Sequence, residues 1–216
     1  MMEIKIILVM IFSYLLGSLP SAVIVSHLVK GVDIRELGDG NMGARNTFRN
    51  LGFLPGLVVG LADGSKGALS VLIARWLGLT PFWQASSGVF ALTGHDYPIY
   101  VKFRGGQGLA TIMGIFLALF PTQTALGLVV YGTIYLITRL SDLSAGIGCG
   151  LIFVMLVLQR NWTFAVFVAL VFITIPIRKV ILDHQQKARV YAEEKLEDQK
   201  RAAPYVVHPD SWTKLR

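Results

Sequence analysis

The chain has 216 residues, 54% of them apolar and 15% charged, and a mean hydropathy of +0.60. Soluble domains average about 45–50% apolar and about 25% charged, so the composition argues against a lone soluble globule. A formal net charge of +7 on so apolar a body points to anionic head groups or phosphorylated substrates rather than to nucleic acid. One cysteine, Cys149, excludes an internal disulfide framework and a multi-cysteine metal site.

Apolar stretches follow in order over Ile4 to Val29, Ala68 to Leu79, Pro81 to Leu92, Leu109 to Phe120, Thr122 to Ile137, Leu143 to Leu158 and Trp162 to Ile177. A helix that crosses a bilayer needs about 20 mostly apolar residues. The first stretch meets this alone, the last three come close, and the middle ones read as short or broken spans. The expectation is an all-α membrane protein with seven transmembrane helices over residues 1–177 and a charged cytoplasmic tail over 178–216. The first stretch is read as a mature helix rather than a signal peptide, because Glu3 precedes Lys5, the run is long, and Gly17-Ser18-Leu19-Pro20-Ser21 interrupts it.

With the N-terminus outside, only Lys5, Arg75 and Arg160 of the 20 basic residues fall on the outer side. Basic residues concentrate on the cytoplasmic face of membrane proteins, so Lys30 to Asn50, Gly94 to Gly108, the Arg139 loop and the tail are placed there. The tail mixes charges, as in Glu193-Glu194-Lys195, and reads as a short amphipathic helix with a loose end. Every polar, glycine-rich segment of the body then faces one compartment, which suits a site at a membrane surface taking one soluble and one lipidic reactant.

Three segments carry most of the chemistry. In Gly38-Asp39-Gly40-Asn41-Met42-Gly43-Ala44-Arg45-Asn46-Thr47-Phe48-Arg49, glycines let the backbone approach a ligand and expose N–H groups, while Asn, Arg and Thr supply donors. A flexible loop with turn residues is the plainer account of the same segment. In Asp63-Gly64-Ser65-Lys66-Gly67, opposite charges three apart lie beside an apolar span. On a surface helix such a pair contributes only about 0.2–0.5 kcal/mol, yet charges near membrane helices mark function. The third segment runs from Gly94-His95-Asp96-Tyr97-Pro98 through Lys102-Phe103-Arg104 and Gly105-Gly106-Gln107-Gly108 to Leu109-Ala110-Thr111. Its glycines precede an apolar helix, so their N–H groups and the helix dipole converge on one anion site flanked by two cations. An interfacial loop anchored by Tyr97 and Tyr100 is the alternative.

These motifs, with GSLPSA in the first span and TRLSDLSA near residue 140, resemble in order those of the bacterial multi-pass acyl-phosphate:glycerol-3-phosphate acyltransferase family over roughly residues 8 to 145. The resemblance implies a seven-helix fold in the plasma membrane, with the N-terminus outside and no metal or nucleotide cofactor. It implies transfer of a fatty acyl group from acyl phosphate to the sn-1 hydroxyl of glycerol 3-phosphate, giving lysophosphatidic acid. By motif position it puts Asn41, Gly43, Asn46 and Arg49 on substrate phosphate, Asp63 and Lys66 at the pocket, and Gly105, Gly106 and Gly108 in a phosphate cradle near His95. Asp39, His95 and Lys66 are the residues given catalytic parts. Arg45, Gln107 and Asp142 complete the substrate-binding set.

The sequence also departs from the family pattern. Asp39 stands where serine is usual, Arg45 where threonine is, Gln107 where lysine is and Asp142 where serine is common. The family's histidine and asparagine after the last span have no clean counterpart around Arg178 to Glu194. Three readings stay open at this point: the parent reaction with a rearranged site, a paralogue acylating another acceptor or using another donor, and a non-catalytic membrane scaffold.

Overall fold

Backbone amides within a bilayer find no water, and a chain of this composition satisfies them inside helices. The computed structural model describes residues 2–202, apart from the side chains of Ser141, Asp142, Lys179, Gln185, Gln186, Arg189, Glu193 and Ala202. Among the described residues there are helices, short 3-10 turns and loops, and no strand.

The first apolar stretch is two helices, α1 (Met2–Gly17) and α2 (Ser21–Lys30). The break falls at Pro20, which has no N–H to continue the ladder. It lies where α1 meets α5 (Pro81–Asp96) at closest approach: a Cβ on Gly17 would strike the Ala91 carbonyl, and one on Gly94 the Tyr14 carbonyl. Between α2 and α5 come α3 (Ala44–Leu51) and α4 (Phe53–Trp76). The latter begins a full 15 residues before the stretch at Ala68 to Leu79 that hydropathy picks out. Asp63, Ser65 and Lys66 hide the first half of α4 from a hydropathy reading, and the charged pair is inside the helix rather than beside it.

Helix α5 likewise runs four residues past Leu92, so His95 and Asp96 are helical and not part of a loop. Then follow α6 (Leu109–Leu119), α7 (Pro121–Thr138), α8 (Ser141–Leu158) and α9 (Trp162–Ala202). Residues 162–202 form one helix containing Pro176, in place of an apolar span followed by a separate short helix. The expected loose end lies outside the described residues.

Helix α4 is central and packs against α1, α3, α5 and α6, while α7 pairs with α8. The main apolar core joins α4, α5, α6, α8 and α9 around Phe116, whose ring lies 5.0 Å from that of Phe120 and 6.1 Å from that of Phe167. Among the described residues, three helical stretches are long and apolar enough to cross a membrane, Met2–Lys30, Phe53–Trp76 and Trp162–His184, with shorter apolar helices at Leu109–Leu119 and Leu143–Leu158. In its described residues this is an all-helical membrane protein. It divides into a unit Met1–Arg178 and a second unit Lys179–Arg216, whose described part is helical to Ala202.

Candidate active site

On a helix, positions three apart share a face, and α4 uses this to bury an ion pair. Asp63 and Lys66 are 2% and 4% exposed, with Lys66 Nζ 2.7 Å from Asp63 Oδ1. The same ammonium donates to the carbonyl oxygen of Leu19, at the break between α1 and α2. His95, buried near the end of α5, places Nδ1 3.7 Å from Asp63 Oδ1. Asp63 thus stands between a cation and an imidazole, away from water. Such a pair contributes little net stability, but removing one member leaves an uncompensated charge.

The loop between α2 and α3 is organised by Asn46. Its Nδ2 donates to the carbonyls of Leu37 at 2.9 Å, Asn41 at 3.1 Å and Ile34 at 3.2 Å, and its Oδ1 accepts from the Asp39 N–H and from Asn50 Nδ2. Asp39 Oδ1 accepts from the Asn41 N–H, closing an Asx turn. Nearby, Arg35 forms a 2.6 Å ion pair with Asp33 and holds that carboxyl below the ordinary aspartate range. The loop's polar groups are thus bonded largely to one another.

Two loops meet at Gly106. A Cβ there would fall against the His95 ring and 3.1 Å from the Met42 carbonyl oxygen, so the loop before α3 and the glycine segment before α6 touch across His95. At Gly105 a Cβ would strike the carbonyls of His95 and Asp96. Gly108 caps α6 at φ 72°, a left-handed conformation that favours glycine. The first-turn N–H groups of an α-helix have no intrahelical partner, and together with the helix dipole such an end favours anions.

The structure therefore brings together Asp63, Lys66, His95, Gly105, Gly106 and Gly108, with the Asp39 to Asn46 loop alongside. Gln107 is half-buried between the glycines. Arg45 and Arg49 are exposed on α3, and Gly43 is its N-cap. Asn46 has its amide taken up by loop carbonyls, which makes it the loop's internal brace. The side chain of Asp142 lies outside the described residues. No group of three His, Cys, Asp or Glu among the described residues is placed to hold a metal ion.

Sequence reasoning missed Arg178, which it counted with the tail. This residue is 4% exposed, lies in the first unit and donates Nε to the Gly106 carbonyl at 3.0 Å and Nη2 to the Asp96 carbonyl. Its guanidinium sits 4.4 Å over the Tyr97 ring. The available signal was position: Arg178 is the first charge after a long charge-free stretch, where a lone cation either snorkels or is paired. Asp96, beside His95 in the quoted motif, was also given no part.

These features define a helical membrane protein in which a buried ion pair and a buried histidine lie against a glycine-rich loop. The glycerol-3-phosphate acyltransferase family model matches residues 7–191, and the chain belongs to that family. A glycerol-3-phosphate acyltransferase 2 of Dehalococcoides mccartyi is 40% identical over 144 residues, covering 67% of this chain and 69% of that one. One of Bacillus cereus is 44% identical over 140 residues, covering 64% and 69%. Two crystal structures of PlsY (YgiH), an integral membrane glycerol 3-phosphate acyltransferase, share the fold. The glycerol 3-phosphate form has a TM-score of 0.72 at 28% identity, covering 86% of this chain and 94% of that one. The lysophosphatidic acid form has a TM-score of 0.74 at 29% identity, covering 86% and 93%.

Proposed function

We propose that this acyltransferase moves a fatty acyl group from acyl phosphate to the sn-1 hydroxyl of glycerol 3-phosphate at the cytoplasmic face of the plasma membrane. The hydroxyl oxygen attacks the acyl carbon, the new C–O bond forms as the bond to the phosphate oxygen breaks, and the hydroxyl proton leaves to a base. The products are lysophosphatidic acid and inorganic phosphate. An acyl phosphate is already activated, so the protein's task is to align the reactants and stabilise charge on the departing phosphate.

The observation that carries this reading is the junction at Gly106, where the glycine segment, His95 and the loop before α3 are in contact. In this reading Gly105, Gly106 and Gly108 hold the leaving phosphate from the backbone, with Gln107 at the rim. Arg45 and Arg49 attract the second phosphate from the exposed side of α3, Asn41 and Gly43 present loop polar groups, and Asp39 takes the proton. Lys66 and Asp63 act through His95, which they hold in place beneath the glycines. Asp142 stays in the substrate-binding set by motif position. Seven crossings are proposed, with α1 and α2 together as the first, then α4 to α9 in turn, the N-terminus outside and the tail inside. The Arg75 bonds to Gln84 and to the Ala118 carbonyl support a common outer end for α4, α5 and α6.

The test presents the detergent-purified full chain with palmitoyl phosphate and a panel of hydroxylated acceptors, reading lipid product and released phosphate. Lysophosphatidic acid formed with glycerol 3-phosphate supports the reading. Product with another acceptor alone favours the paralogue reading, which the residues at 39, 45, 107 and 142 motivate. Gln107→Lys is expected to raise the rate on glycerol 3-phosphate if the rim glutamine weakens phosphate binding.

A further inference from the structure

Arg178 joins three pieces of chain that have no covalent reason to stay in register. It rises from α9, reaches the last carbonyl of α5 at Asp96 and bonds the Gly106 carbonyl in the glycine segment at 3.0 Å. Its Nε also lies 3.9 Å from Asp96 Oδ2, and the Tyr97 ring backs its face. A planar guanidinium donates in fixed directions, so it dictates the orientation of the groups that accept from it.

The peptide plane supplies the consequence. No cis peptide occurs among the described residues, and in a trans peptide the carbonyl and the following N–H point in opposite directions. With the Gly106 carbonyl turned to Arg178, the Gln107 N–H must turn away from it. The Gly106 N–H is fixed as well, because it donates to the His95 carbonyl at 3.3 Å. Glycine has the widest choice of backbone conformations, and Gly105 to Gly108 would otherwise be free to rotate its amides out of alignment.

We infer that Arg178 is a positioning residue for the anion cradle: by holding the Gly106 carbonyl and the end of α5 together, it aims the Gln107 N–H and the amides that follow toward the bound phosphate. Arg178 does not touch substrate in this role. The inference rests on the acyl-transfer reading for its kinetic consequence, but its geometric content stands apart from it. Charge on the leaving phosphate grows toward the transition state, so a misaimed donor lowers kcat more than it raises KM.

The experiment uses full-length Arg178→Lys and Arg178→Ala, each checked for folding by thermal unfolding in the same detergent. Arg178→Ala is expected to lose about 100-fold in kcat with the KM for glycerol 3-phosphate within about twofold. Arg178→Lys keeps the charge but not the two-way fork, and is expected to lose about tenfold. Methylguanidinium added to Arg178→Ala is expected to restore at least a tenth of the lost rate. A folded Arg178→Ala with the wild-type kcat overturns the inference, as does a loss that methylguanidinium leaves untouched and that only parallels the fraction unfolded.

A second readout needs no turnover. Inorganic phosphate is expected to raise the unfolding temperature of the wild type and to do so much less for Arg178→Lys. If the wild type transfers no acyl group but this difference holds, the acyl-transfer reading falls and the cradle inference stands. If phosphate protects both proteins equally, or neither, the cradle inference falls whatever the activity.

Discussion

The α7–α8 pair and the α4–α5–α6 centre both use glycine to bring helices close, with opposite results. A Cβ on Gly148 would lie 2.8 Å from the Gly127 carbonyl oxygen, and one on Gly127 would meet Ile152. There the small residues serve only to let two apolar helices pack, as is common in membranes. In the centre, a Cβ on Gly67 would strike the Thr111 carbonyl and one on Gly114 the Gly64 carbonyl, and that same intimacy surrounds a buried ion pair and histidine. Close backbone approach is thus a shared device, and what decides its use is whether polar side chains are carried along with it.

The contrast is most exposed to refutation at Gly105. Gly105→Ala drives a methyl into two α5 carbonyls that have no room to retreat, and transfer per folded molecule is expected to fall by at least about 100-fold. Lys66→Met strands the Asp63 carboxylate and is expected to cost about 3–5 kcal/mol in unfolding experiments. Adding Asp63→Asn to that variant should return much of the stability without the activity. For Asn46→Ala, which unseats the loop before α3, about 1–3 kcal/mol is expected, with a rise in KM as the kinetic sign.

On the other side of the comparison, Gly148→Ala is expected to cost about 1–3 kcal/mol through overpacking while leaving kcat per folded molecule unchanged. If it impairs catalysis as severely as Gly105→Ala, the division between the two regions is wrong. The smallest effect belongs to Asp33. Arg35 lowers its folded pKa, so the stabilisation is complete above the ordinary aspartate value near 3.9 and is lost as pH falls through the lower folded value. About 1 kcal/mol or less is at stake for such a pair, and Asp33→Asn should remove that acid-limb dependence from the unfolding curve.

Much of this was legible in the chain. Composition and apolar runs announce a helical membrane protein, and the ordered motifs announce the acyltransferase family. The errors arise where polarity and helicity part company. Hydropathy stops at Asp63 and Lys66 because it scores residues singly, whereas the two neutralise each other inside α4. His95 and Asp96 look like loop residues for the same reason. Arg178 looked like the start of a solvated tail because its acceptors, the Gly106 and Asp96 carbonyls, lie 72 and 82 positions away. Asn46 reads equally well as a ligand or as a brace until its five partners are placed around it.

The bond from Lys66 to the Leu19 carbonyl fastens the broken apolar stretch Met2–Lys30 to α4 by charge rather than by oil. Dissolved ions act over a Debye length of about 10 Å at 0.1 M but hardly reach a desolvated contact, so raising ionic strength has little hold on this joint. Water does: a detergent that lets it seep to the kink at Pro20 offers the ammonium a rival oxygen. Harsh solubilisation, and not salt, is what should first set the broken N-terminal helix adrift.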